Sequence, residues 1–193
     1  MLSHDPIEEF LNWFGEATQK GIAVPEAMTL STATKSGRPS GRVVLYKGIK
    51  DGSFFFVTNF DSRKGRELAK NPWASLTFYW PGWERQVRIE GKVTKCKPSL
   101  SDEYWETRPR DSQVGAWASK QSKEIPSREF LEEKIKVLTG KFEGKAVPRP
   151  KYWGGYLVKP TNIEFWVGQA SRLHDRFEFT KTAKGWKSRR LSP

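Results

Sequence analysis

The chain predicts an α+β protein, predominantly antiparallel β, in which a barrel-like sheet carries peripheral helices. Three observations lead there. Short apolar and aromatic runs recur between Gly, Pro, Asn and Asp turn signals. Nine Trp, twelve Phe and five Tyr among 193 residues suit a β-rich core and flat walls for a planar ligand. The stretches with helical spacing are short, and no repeat or low-complexity tract interrupts them. A chain of this length builds one compact domain or two interlocked halves, and one domain over residues 1–193 is expected.

Taken in order, Asp5 caps and Pro6 opens an amphipathic helix marked by Ile7, Phe10, Leu11 and Phe14, with Gly15 or Gly21 to end it. Residues 27–34, the turn Ser36-Gly37-Arg38-Pro39 and residues 41–47 form a hairpin. Asp51-Gly52 turns the chain into a strand over 53–58. A helix follows over 63–70, closed by Asn71-Pro72, and then strands over 73–80 and 84–95. Residues 101–107 and 127–138 read as helices, and 140–151, with Pro148 and Pro150, as a loop. Strands resume over 153–159, 162–167 and 172–180, with 186–191 as the last.

Lys and Arg outnumber Asp and Glu by 34 to 22, an excess of +12 that attracts phosphates, carboxylates or nucleic acid. The basic residues are spread along the chain, which argues against a disordered basic arm but leaves a folded basic groove open. One cysteine, Cys96, excludes an intramolecular disulfide, and two histidines without clustered partners give no metal-ligand spacing. The N-terminus lacks a signal-peptide pattern and no apolar run approaches the ~18 residues of a membrane span, so a cytoplasmic protein is expected. The Gly-rich dinucleotide, P-loop and Gly-x-Ser-x-Gly motifs are all missing.

Four places can carry chemistry. On an extended strand Arg172, His174 and Arg176 share one face at about 6.6 Å repeat spacing, an anion site with a polar centre; periodicity alone favours an ordinary solvated face. Ser62 or Asp61 caps the helix that begins with Arg63 and Lys64, and its free amides form either a phosphate cradle or a plain capped terminus. Arg42 and Lys47 bracket an apolar strand and, being five apart, point to opposite faces; flanking a buried segment is their ordinary role. Tyr104 and Arg108 lie one helical turn apart with Ser112 beyond, so that a guanidinium and two hydroxyls can converge on one oxyanion, or form an ordinary loop salt bridge.

Together these segments resemble the pyridoxamine 5′-phosphate oxidase family, flavoproteins of the FMN-binding split-barrel fold. The resemblance runs from Asp5 to Pro193. It is carried by Arg42-Val43-Val44-Leu45-Tyr46-Lys47, Thr58-Asn59-Phe60-Asp61-Ser62-Arg63-Lys64-Gly65, Arg85-Gln86-Val87-Arg88-Ile89-Glu90-Gly91, the Arg108–Trp117 stretch, Trp153-Gly154-Gly155-Tyr156 and the Trp166–Arg176 stretch. It implies FMN contacts from Arg42, Val43, Val44, Leu45, Tyr46, Lys47, Val57, Thr58, Arg63, Lys64, Gln86, Gln121, Ser122, Trp166 and Arg176, some of them supplied across a homodimer interface. For the substrate it implies Lys47, Tyr104, Arg108, Ser112, Arg172 and His174, with Arg172 and His174 catalytic: Arg172 fixes the substrate over the flavin, and His174 hydrogen-bonds or transfers a proton.

The implied reaction oxidises pyridoxamine or pyridoxine 5′-phosphate at C4′ to pyridoxal 5′-phosphate, with O2 reduced to H2O2 and no metal, nucleic acid or membrane involved. The segment over about 150–193 would serve dimerisation and substrate binding within the one split-barrel domain. The chain departs from the family's pattern at Val57, often aromatic, at Tyr46, more often aliphatic, and over Trp105-Glu106-Thr107. It also begins just before Asp5, without the longer N-terminal extension of the family, so lid closure is expected to be reduced or taken over by another segment. Two readings compete: a split-barrel protein that binds flavin or pyridoxal phosphate without turnover, and a nucleic-acid-binding barrel motivated by charge and aromatics alone.

Overall fold

In a computed structural model describing residues 3–193, Asp5 accepts the Ile7 N–H (2.8 Å) and Pro6 sits in the first turn of helix α1 (Pro6–Gln19). The helix runs through Gly15 and ends before Gly21, whose φ of +70° suits the left-handed residue that closes a helix. Its buried face, Phe10, Trp13 and Ala17, packs on the aromatic rings of Tyr46, Phe54, Phe78 and Phe165.

Phe54, Phe78 and Phe165 belong to an open antiparallel sheet, and Tyr46 lies just past the end of one of its strands. Strands β1 (Ala27–Ala33) and β2 (Pro39–Leu45) form the expected hairpin. The short β3 (Ile49–Lys50), which the sequence did not reveal, pairs with β4 (Ser53–Asn59). Helix α2 (Arg63–Lys70) and strands β5 (Trp73–Trp80) and β6 (Arg85–Lys95) follow, then helices α3 (Pro98–Glu106), α4 (Arg110–Ala118) and α5 (Arg128–Lys141). Strands β7 (Trp153–Val167), β8 (Asp175–Thr182) and β9 (Gly185–Leu191) complete the chain. The order is β2-β1-β5-β6-β7-β4-β3, with β8 beside β7 and β9 beside β8. The two ends approach where Lys47 N–H donates to the Phe55 carbonyl (2.8 Å) and Phe55 N–H to that of Gly48 (2.9 Å). This is the geometry of a split barrel.

β4 is buried on both faces. Phe54 and Phe56 enter the barrel core with Leu76, Phe78, Ile89, Val158 and Phe165, whereas Phe55 meets Tyr104 on the outer side. There Trp105, Val114, Phe142, Val147 and Trp153 form a second core that seats α3, α4 and α5 on the sheet.

Four expectations are corrected. The separate strands over 153–159 and 162–167 are one strand: the register slips between Glu90 and Gly91, a bulge at which Pro160, which has no N–H to donate, pairs opposite Gly91. The stretch between the expected helices contains α4, whose first residue follows Pro109. Lys47 is not on the strand with Arg42, because β2 ends at Leu45 and the chain turns through Gly48 at φ +104°. The strand expected over 172–180 begins only at Asp175, since Ala170–Arg172 form a single 3-10 turn that reverses the chain. Ser171 (φ 56°) and Arg172 (φ 61°) are left-handed there, so Arg172, His174 and Arg176 do not alternate along one extended face.

Candidate functional site

A cleft of about 880 Å³ opens between the end of β2, the β4–α2 junction, α3, α4 and the loop after α4. Its size is that of a small-molecule site. Two cationic groups of different construction line it.

The first is built around α2. Ser62 caps the helix by accepting the Gly65 N–H (3.3 Å), and the Arg63 N–H donates to Ser122 Oγ (3.1 Å), which fastens the loop after α4 to the helix start. Arg63 and Lys64 add positive charge to a terminus that is already positive, an arrangement that favours an anion. The helix lies so close to the preceding loop that a Cβ on Gly65 would stand 2.0 Å from the Phe60 carbonyl oxygen. Lys64 is buried, and Nζ donates to Thr58 Oγ1, Ser62 Oγ and Gln121 Oε1, each at 3.2 Å. Burial, with the neighbouring Arg42 guanidinium, lowers its pKa to about 8. Arg42, from β2, donates through Nη1 to the Leu30 carbonyl (3.1 Å) and Thr32 Oγ1 (2.6 Å), and through Nη2 to Ser40 Oγ (2.5 Å).

The second group spans α3, α4 and the short link between them, which carries Arg108 instead of the single helix turn expected to hold Tyr104 and Arg108 together. The Arg108 guanidinium lies 4.6 Å from the Trp153 ring centroid and 5.6 Å from that of Trp105, and Nη2 donates to the Ser112 carbonyl (2.9 Å). Its Nε is buried without a hydrogen-bond partner, and burial lowers its pKa. The guanidinium lies beside two indoles whose own centroids are 4.9 Å apart, and no protein acceptor among the described residues neutralises its charge. Tyr104 stacks on Trp153, with Lys47 Nζ 6.0 Å from the phenol ring centroid.

Of the residues singled out from the sequence, Arg42, Val43, Val44, Leu45, Lys47, Val57, Thr58, Arg63, Lys64, Tyr104, Arg108, Ser112, Gln121 and Ser122 line this one cleft. Tyr46 does not. Its side chain is buried among Phe10, Phe14, Phe54 and Phe78, where burial raises the phenol to about 12. Gln86, Trp166 and Arg176 stand abreast on β6, β7 and β8, away from the cleft lining. Arg176 is held by Glu164, Nε to Oε1 at 2.9 Å and Nη2 to Oε2 at 3.1 Å. His174 Nδ1 accepts the Gln169 N–H (3.1 Å), and its ring lies 4.5 Å from that of Trp166. Arg172 is exposed. Sequence reasoning missed Ser40, Asn59, Trp153 and, behind the lining, Thr32 and Glu67. Glu67 stood in plain view four residues after Arg63 on the predicted helix.

The fold and the cleft define a split-barrel protein with two cationic groups in one site. The sequence profile of pyridoxamine 5′-phosphate oxidase matches residues 14–141, and that of the pyridoxine 5′-phosphate oxidase C-terminal dimerisation region matches 153–193. The chain belongs to the pyridoxamine 5′-phosphate oxidase family. It is 51% identical over 189 residues to a pyridoxine/pyridoxamine 5′-phosphate oxidase of Rubrobacter xylanophilus (98% of this chain, 87% of the relative). It is 49% identical over 191 residues to one of Psychromonas ingrahamii (99% and 88%). Among solved structures, PhzG from Burkholderia lata in complex with tetrahydrophenazine-1-carboxylic acid superposes with a TM-score of 0.94 at 34% identity, covering 99% of this chain and 94% of that one. A pyridoxamine 5′-phosphate oxidase-related, FMN binding protein from Nostoc punctiforme, 15% identical with a TM-score of 0.74 over 94% of this chain and 96% of that one, shares the fold.

Proposed function

We propose that this chain, as a homodimer, uses FMN to oxidise pyridoxamine 5′-phosphate and pyridoxine 5′-phosphate to pyridoxal 5′-phosphate. The observation that carries this reading is the pairing of two separate phosphate-type groups, Arg63/Lys64 backed by Arg42 and Tyr104/Arg108/Ser112, in one cleft. The donor set fits a flavin phosphate, because Lys64 is buried among neutral acceptors and α2 begins with two cations. FMN, when bound, supplies the two-electron acceptor for C4′, and O2 takes the electrons on as H2O2.

The residues of the chain bind and orient. Arg63, Lys64, Gln121 and Ser122 hold the cofactor phosphate, and Val43 to Leu45 and Val57-Thr58 wall the flavin. Arg108, with Tyr104 and Ser112, takes the substrate phosphate on its guanidinium, and Lys47 lines the same cleft beside Tyr104. Arg172, His174, Gln86, Trp166 and Arg176 serve the cleft of the partner protomer; Arg172 fixes the substrate ring, and His174, whose Nδ1 is an acceptor, presents Nε2–H. No described helix is long and apolar enough to cross a membrane, and the lone buried thiol of Cys96 suits the cytoplasm, where we place the enzyme.

An absorbance spectrum before and after anaerobic addition of pyridoxamine 5′-phosphate tests the proposal. The expected result is a flavin band that bleaches and returns with air as H2O2 is released. Colourless protein that takes up no FMN sinks it, and so does a flavin band indifferent to substrate. Tetrahydrophenazine-1-carboxylic acid, the molecule present with PhzG, is the control, expected to bleach the band far more slowly than the phosphate ester.

A further inference from the structure

Glu67 lies on the inner face of α2, only 7% exposed, and does not line the cleft. A buried carboxylate is costly unless donors surround it, and here they come from three elements. Oε2 accepts from Thr32 Oγ1 of β1 (2.5 Å), Ser40 Oγ of β2 (2.7 Å) and Arg42 Nη2 (3.4 Å). Oε1 accepts from Arg63 Nε of α2 itself (2.9 Å). Burial pushes the carboxyl pKa up, but the Thr32 and Ser40 hydroxyls and then Arg63 outweigh it and hold the group at about 2.

The same two hydroxyls that donate to Glu67 accept from Arg42, so carboxylate, hydroxyls and guanidinium form one closed network. With the Leu30 carbonyl included, both terminal nitrogens of Arg42 are fully engaged, and its orientation is fixed. Arg63 is gripped at Nε alone. Its two terminal nitrogens have no hydrogen-bond partner among the described residues and remain as donors at the helix start.

We propose that Glu67 is a positioning residue for the cofactor phosphate: without touching the ligand, it locks Arg42 and aims the free end of Arg63 into the cleft. This rests on the reading of the cleft as an FMN site. Charge and position make opposite demands here. Arg42, Arg63 and Lys64 against Glu67 leave a local charge of about +2, the counterpart of a phosphate monoester of about −2. If charge alone governed binding, removing the carboxylate would tighten FMN. If Glu67 acts by position, its removal loosens FMN, because a carboxamide at this place sets an N–H donor against donors already aimed at it.

The test titrates FMN into the full-length apoprotein, read by quenching of flavin fluorescence, for wild type, Glu67→Gln, Arg63→Ala and the double variant. Glu67→Gln is expected to weaken FMN binding about 10- to 100-fold. The double variant is expected to lose clearly less than the product of the two single losses, since part of the effect of Glu67 runs through Arg63 and the rest through Arg42. Excess FMN is expected to restore turnover, so that the defect lies in the FMN concentration required and not in kcat. Thr32→Val, which removes one hydroxyl of the network at nearly constant volume, guards against a folding failure and is expected to weaken FMN about 3- to 10-fold. The inference is overturned if Glu67→Gln binds FMN as tightly as wild type or tighter. It is equally overturned if the Glu67 and Arg63 losses simply multiply. Wild-type protein that takes up no FMN would instead overturn the cofactor reading itself, and this inference with it.

Discussion

Lys64 shows how a single residue sets a condition on the whole site. In the free protein burial and Arg42 hold its pKa near 8, and a phosphate beside it favours the charged form. The sign follows. Below pH 8 the ammonium is present and FMN meets a charged partner; above pH 8 binding must take up a proton, so FMN affinity falls by up to about tenfold per pH unit. Titrations from pH 6 to 10 should show that inflection, and Lys64→Met should bind more weakly and lack it. Glu67 runs the other way. With its folded pKa near 2 and an ordinary value near 4.5, its contribution to stability is complete above pH 4.5 and lost as pH falls through 2. The stability gap between wild type and Glu67→Gln should therefore close between pH 5 and 2, as acid unfolding curves would reveal. Arg108 is the corresponding residue of the substrate end: Arg108→Ala should raise KM for pyridoxamine 5′-phosphate about 100-fold or more while FMN stays bound. Tyr104 could be read on its helix, but Arg108 lies past the end of α3, in the link of residues 107–109, so helical spacing did not place it. Trp153, against which Arg108 packs, could not be read either, because it lies on β7, far away in sequence, and reaches Arg108 only through the second core.

At the scale of elements, α2 is the piece on which the cofactor end depends. Its position against the Phe60 carbonyl leaves no room for a methyl group at Gly65. Gly65→Ala should displace the helix start, costing about 1–3 kcal/mol, a fall in melting temperature of about 2–4 °C per kcal/mol, together with a loss of FMN affinity. A thermal scan and an FMN titration check both, and normal values in both would show that the loop yields freely. This helix was legible over 63–70, since Asn71-Pro72 stops it and the cap was expected at Ser62 or Asp61, of which the fold uses Ser62; β5 over 73–80 was equally plain. What stayed hidden depends on partners. Pro160 argues for a break, yet the bulge opposite Gly91 carries the strand through it. Arg172 alternates with His174 and Arg176 on paper, but β7 must reverse into β8, and the reversal consumes 170–174. The last consequence reaches the site, because it separates Arg172 from the strand row of Gln86, Trp166 and Arg176.

Across the whole molecule, one chain presents the cleft and, elsewhere on its surface, a second set of candidate residues that do not line it: Gln86, Trp166, Arg172, His174 and Arg176. Two buried glutamates organise the two sets, Glu67 behind the cleft and Glu164 beneath Arg88 and Arg176. Val43 and Leu45 on edge strand β2, and Leu173 beside Arg172, are exposed apolar side chains of the kind a partner protomer covers. A two-fold dimer that brings the second set of one chain over the cleft of the other makes each site composite. Composite sites can be tested by mixing two defects. In a heterodimer of Arg108→Ala and Arg172→Ala chains, one site carries both lesions and the other carries neither, provided that Arg172 serves the partner's cleft. Co-expression with random pairing yields heterodimers in half of the assemblies, each with one intact site of two, so activity should recover to about a quarter of wild type although each variant alone is nearly inactive. If Arg172 instead completed the cleft of its own chain, every site in the mixture would carry one lesion and no recovery would appear.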